Sequence, residues 1–171
     1  MRILGLSFLI GLCASVAPGA VAQQAQFNPT LCEGRTAQDC NDLMGSYELP
    51  PEDRQKVLLL RATALLQKHD LEGTIAEYRE MTVIDPRGWM AYSTLGFLES
   101  IGEKWTEAAT DLKRALEIAP EQDRIRAMLA VALAKSGDCT GAKAALDEEK
   151  ARVANASTVS AAEKTVGEAC R

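Results

Sequence analysis

The chain has 171 residues, a formal net charge of −5 at pH 7, one histidine and five cysteines. A length of this order supplies one domain. An acidic chain gains no counterion-release energy on a phosphate backbone, which argues against nucleic acid as a partner.

The first element is not part of a fold. "MRILGLSFLIGLCASVAPGAVA", residues 1–22, has Arg2, an apolar run from Ile3 to Ala17 and a small-residue site at Ala20-Val21-Ala22. This is the anatomy of a secretory signal peptide cleaved before Gln23. As a membrane anchor the run falls short of the roughly 20 apolar residues a spanning helix needs, and no basic flank follows it. Cys13 follows Leu12 rather than a small residue, so it lacks a lipoprotein site and is expected to leave with the signal. The mature chain is expected to cross the inner membrane and reside in the periplasm, with no stable anchor. Four cysteines then remain: Cys32, Cys40, Cys139 and Cys170. An even number in an exported chain points to two disulfides, with three possible pairings. Cys32 and Cys40 are close together in a polar, turn-rich segment and form the favoured pair, leaving Cys139 with Cys170. No CxxC occurs and His69 is the single histidine, so a redox or metal site has little support.

Residues 23–51 read as an irregular arm rich in Pro, Gly, Asn and Asp, with room for a short helix around Thr36–Met44. From Glu52 the chain becomes a near-unbroken series of helical patterns without strand signals. The expected helices are Glu52–Lys68, Leu71–Ile84, Arg87–Ile101, Trp105–Ile118, Glu121–Ser136, Cys139–Val153 and Ser157–Ala169. Short turns at "KHD", "IGEK" and "SGD" join them in pairs, and Pro86 and Pro120 separate the pairs. Ser160 with Glu163 has the spacing of a capping box for the last helix.

Pro86 and Pro120 stand 34 residues apart, and the same shift aligns much more. Ala62, Gly96 and Ala130 fall in register, all small, as do Thr74, Ala108 and Ala142. Tyr78, Leu112 and Leu146 align as large apolar residues, whereas Leu65, Glu99 and Leu133 align with one break, at Glu99. Two-helix units cannot bury their apolar faces alone, so such units stack. The middle unit carries Tyr92, Leu95 and Gly96 in its first helix, Ala108, Leu112 and Ala115 in its second, and a closing Pro120. On these residues and this period the chain resembles the tetratricopeptide repeat family. The first unit departs from the pattern at Arg61, Thr74 and Met81, and the third at Arg126 and Ala154. The implied fold is an all-α solenoid: a domain over 52–171, with units at about 55–88, 89–122 and 123–156 and a capping helix over 157–170. Val159, Ala162, Val166 and Ala169 form the cap's apolar stripe, and a Cys139–Cys170 bridge would pin it.

No chemistry-bearing motif appears: no P-loop, no GxGxxG, no nucleophile elbow and no metal-ligand spacing. No enzyme activity, catalytic residue, cofactor or metal is expected. Asp147-Glu148-Glu149 reads as a solvated helix face, and the carboxylates of the Trp105–Ile118 helix are expected to face water. The resemblance implies instead a groove lined by the first helices of successive units. Its inward residues would be Leu59, Thr63 and Leu66, then Ser93, Phe97 and Ser100, then Ala127, Val131 and Ala134. Lys56, Met90, Arg124 and Lys135 would stand on its rim, and Trp89, opening its helix, is the better contact candidate of the two tryptophans. Family members that clamp a terminal carboxylate carry Asn where this chain has Thr63 and Phe97, so that clamp is not expected. The expected function is a protein–protein scaffold of the cell envelope that binds a peptide or helix in the groove. The alternatives are a groove filled by the chain's own arm, a structural subunit associating through its outer faces, or a thiol-dependent enzyme.

Overall fold

The structure, a computed structural model, describes Asp39, Asp42 and residues 49–122, 124–153 and 157–171. The signal segment, Cys32 and Cys40, and the helix expected around Thr36–Met44 all fall, wholly or in part, outside these residues.

Among the described residues seven helices follow in order: α1 Pro51–Gln67, α2 Leu71–Ile84, α3 Trp89–Ile101, α4 Trp105–Ile118, α5 Ile125–Ser136, α6 Cys139–Arg152 and α7 Ser157–Ala169. There is no strand among them. Pro51 opens α1, where a missing N–H leaves no helical bond unmade. Asp70 and Asp138 cap α2 and α6, each accepting from the backbone N–H two positions into the helix, at Gly73 and Gly141, at 2.9 Å. The turn inside each pair is also repeated. His69 (φ 59°), Glu103 (φ 58°) and Gly137 (φ 96°) occupy the left-handed region, 34 residues apart. The N–H that follows each one reaches back to Leu65, Glu99 or Leu133 at 2.8–2.9 Å. This is the closure that ends a helix by exposing fewest carbonyls, and it requires a left-handed residue. The single histidine is therefore a turn residue.

Successive helices pack in pairs, and pairs stack. Gly96 lets α3 and α4 approach: a Cβ there would stand 2.7 Å from Leu112 Cγ and 3.0 Å from the Ala108 carbonyl oxygen. The largest apolar cluster runs through α4–α7, with Leu112, Ala130 and Ala142 fully buried. A separate cluster of Val57, Leu58, Ala62 and Met81 closes the first pair. Ile75, Leu95 and Leu98 bridge it to the second.

Three expectations change. Helix α3 begins at Trp89 and α5 at Ile125, later than the patterns suggested. At α5 the cause is Arg124, whose left-handed backbone (φ 73°) cannot continue a helix. Ser160 lies inside α7, which starts at Ser157, so it cannot cap that helix, and Glu163 pairs instead with Lys150 of α6. Val159, Ala162 and Val166 are buried as the stripe required, while Ala169 at the helix end is exposed.

Candidate binding cleft

Helix α7 does not simply continue the stack. Where they meet the preceding pair, α3 and α5 each pack on its second helix, but α7 leans more on the first, α5, than on the second, α6. It is thereby turned toward the face formed by the first helices. A disulfide between Cys139, the first residue of α6, and Cys170, just past α7, holds it there with Cα atoms 5.5 Å apart. This is one of the two pairings expected from the sequence.

The tilt produces a cleft of about 420 Å³. One wall is Phe97, Ser100 and Ile101 of α3, with Trp105 at the start of α4. The floor is Ala127, Met128 and Val131 of α5, with Arg124 at its mouth. The opposite wall is α7, through Thr158, Ala161, Ala162 and Thr165. Among these lining residues Arg124 alone is charged. Lys135 stands over the Trp105 ring, 6.0 Å from its centroid.

The cleft gathers five of the residues expected in a groove: Phe97, Ser100, Arg124, Ala127 and Val131. Ala127 is its buried floor rather than an exposed contact. Leu59, Thr63, Leu66 and Met90 do not line it, but they are exposed on α1 and α3, so the apolar stripe extends beyond it. Ser93 does not line it and bonds to the Met90 carbonyl oxygen. Lys56 is exposed and pairs with Asp53 within α1. The tryptophans exchange roles. Trp89 packs against the α4–α7 core, and Trp105 forms part of the cleft wall. The contribution of α7 was missed because its stripe shows which side is buried without showing which neighbour it leans on.

The sequence matches no protein-family model, and no curated protein matches it. Solved structures do resemble the fold. The TPR2B domain of yeast Sti1, in complex with pHsp70, superposes with a TM-score of 0.57 at 22% identity, over 68% of this chain and 96% of that one. The Arabidopsis OM64 TPR domain gives 0.61 at 13% identity, over 70% and 98%. The N-terminal domain of C. elegans stress-induced protein-1 gives 0.58 at 17% identity, over 72% and 100%.

The chain folds as a tetratricopeptide-type solenoid.

Several departures from the repeat pattern in this tetratricopeptide-type array are buried charges that meet between helices. Arg61, standing in register with Leu95 and Leu129, pairs with the buried Glu77 at 2.7 Å. Burial pushes the Glu77 carboxyl up, and the Arg61 charge opposes it. Glu99, the break in the leucine register, is 0% exposed. Its Oε1 accepts from the Arg79 guanidinium of α2 at 2.8 Å. It also sits against Asp111 of α4, which is therefore half-buried rather than facing water. Burial, then the hydrogen bond to Asp111 and the Asp111 charge, push Glu99 up to about 7, against the pull of Arg79. Asp111 is raised too, chiefly by burial. Two carboxyl groups facing one half-exposed guanidinium cannot both ionise cheaply, so Glu99 keeps its proton to a higher pH than a free carboxyl does.

Glu149 is buried as well, although it belongs to a run expected to face water. Its Oε1 accepts from the Arg124 backbone N–H at 2.9 Å. A left-handed non-glycine residue costs about 1–2 kcal/mol, and this bond holds Arg124 in that conformation. The described residues contain no cluster of three His, Cys, Asp or Glu side chains fit to hold a metal. None of the described helices is long and apolar enough to cross a membrane.

Proposed function

We propose that this protein is a non-catalytic protein–protein interaction module, and that its cleft captures a peptide or helix of a partner protein. The observation that carries the reading is where its apolar surface lies. Of the large hydrophobic side chains left exposed among the described residues, Leu59, Leu66, Met90, Phe97 and Ile101 stand on the first helices α1 and α3. Exposed apolar surface concentrated beside a concave site is the usual mark of an interface. The Sti1 domain, which shares the fold, is in complex with pHsp70 and supports a protein partner for the array. The proposed place of action is the bacterial cell envelope, in the periplasm. Residues 1–22 support this, as does the Cys139–Cys170 bond, since disulfides persist in oxidising compartments.

Phe97 is 50% exposed on the cleft wall, so a charge there should not disturb the core. Phe97→Glu is expected to abolish partner capture in envelope crosslinking followed by mass spectrometry, with the helical circular dichroism unchanged. Equal capture by wild type and variant would sink the cleft as the binding site. Leu60 and Val83, exposed off the stripe, favour a second reading in which the array associates with its own copies. Light scattering across a concentration series separates the two: a monomer at every concentration removes the second.

A further inference from the structure

We infer that the Cys139–Cys170 bond is a reduction site, and that a protein dithiol opening it removes one wall of the cleft and releases what the cleft holds. The inference rests on the binding role proposed above and adds a means of switching it. Thr158, Ala161, Ala162 and Thr165 of α7 line the cleft with Phe97 and Val131. The disulfide joins Cys170, just past α7, to Cys139, the first residue of α6. Helix α7 adds little of its own to that attachment. It has 13 residues, near the length below which an isolated helix is marginal in water. Ser157, Thr158, Val159, Thr165, Val166 and Gly167 are poor helix formers. Its buried side chains are Val159, Ala162 and Val166, all small, so the apolar area they take from water is modest. The Lys150–Glu163 ion pair ties it to α6 at the surface, where solvent weakens such a pair. By contrast, α3 and α5 are held by the buried Leu95, Leu98, Leu129 and Leu133. Loss of the covalent bond therefore frees the α7 wall and leaves the other walls standing.

Both cysteines keep part of their surface in solvent. Their sulfurs differ as leaving groups. Cys139 opens α6, at the positive end of a helix, whereas Cys170 follows α7, at a negative end. A thiolate is favoured at a helix N-terminus. The Asp138 charge opposes that preference, but its side chain is engaged by the Gly141 N–H. Cys139 is therefore the sulfur that leaves first. The step needs a two-electron donor, and a protein carrying a Cys-X-X-Cys dithiol supplies one. A donor thiolate attacks Cys170 Sγ, the S–S bond breaks, and its electron pair departs on Cys139 Sγ, which takes up a proton. The donor's second thiolate then attacks the donor sulfur of the mixed disulfide and expels the Cys170 thiolate, which is protonated in turn. The donor ends as a disulfide, oxidised by two electrons, and this chain gains two thiols.

The test starts from a peptide selected by phage panning on the purified, oxidised protein and lost by the Phe97→Glu variant. That peptide is titrated against the oxidised protein, the protein reduced by thioredoxin and its reductase, and a Cys139→Ser, Cys170→Ser double variant. Mass spectrometry of alkylated cysteines follows the opening of the bond. Reduction should weaken binding about tenfold, as for a binding-competent state populated a tenth of the time. The double variant should bind like the reduced protein and ignore the reductant. Hydrogen exchange should show protection lost over α7 and kept over α3 and α5. Equal affinity before and after reduction, or a bond that the protein dithiol does not open, overturns the inference but leaves the cleft as a binding site. So does a double variant that still responds to reductant, because the effect then lies elsewhere. Protection lost from α3 and α5 as well would show that the bond holds the fold and does not switch the cleft. No peptide that the oxidised protein enriches and Phe97→Glu loses overturns the inference and the binding role together.

Discussion

At the scale of single residues, Glu99 shows how a defect in a pattern becomes a feature of the structure. Its carboxyl is raised from 4.5 to about 7, chiefly by burial. Between those values the folded chain keeps a proton that the unfolded chain has released. The contribution to stability is thus fully present below about pH 4.5 and is lost as pH rises to about 7. Glu99→Gln stays neutral and can still accept from Arg79. Its melting temperature is expected to gain on wild type as pH rises from 4.5 to 7, by the equivalent of about 2–3 kcal/mol. A gap that stays constant across that range would show that Glu99 titrates in the folded chain as it does in the unfolded one. In the sequence Glu99 is only a gap among leucines. Its partners Arg79 and Asp111 come from two other helices, and a one-dimensional register does not pair them.

At the scale of elements, the helices were legible and one tilt was not. Five of the seven expected helices lie within a residue of their observed limits at both ends, because the turns between them carry repeated closure chemistry at Asp70, Gly137 and Asp138. The start of α5 was misread because a left-handed arginine has no compositional signature. The lean of α7 was unreadable for another reason. Val159, Ala162 and Val166 are small, so the packing they make is shallow and compatible with either neighbour. The disulfide decides the matter by fixing Cys170 to the start of α6. It closes a loop with a sequence separation of 31, for which chain entropy gives about 3–4 kcal/mol. Cys170→Ser is expected to fray α7 and to expose it to limited proteolysis before the rest of the array. An oxidised variant with unchanged melting temperature and protease resistance would show that apolar packing alone holds the helix.

At the scale of the whole molecule, the three stacked pairs are not equally bound. The apolar cluster through α4–α7 is continuous. The first pair has its own small cluster and is joined to the second by Ile75, Leu95 and Leu98, beside the Arg79–Glu99 pair. In a stacked array each unit is stabilised by its own packing and by its neighbours'. Hydrogen exchange followed by mass spectrometry is expected to protect α4–α6 most and α1 least. Uniform protection from α1 to α6 would mean that the polar joint couples the first pair as firmly as apolar contacts do. The 34-residue period made the stacking legible from the sequence, but this gradient depends on buried areas and ion pairs that only the folded chain defines.

The wall that α7 gives to the cleft is made partly of absence. Ala161 and Ala162 stop at their β-carbons, and the room opposite Phe97 and Val131 exists because nothing longer stands there. Ala162 is committed to the core, whereas Ala161 is exposed. The depth of the cleft is therefore set at one position on a helix whose stability does not depend on it. A family of such proteins could change the girth of what it holds by lengthening that one side chain, leaving the α3 and α5 surfaces and the buried charges untouched.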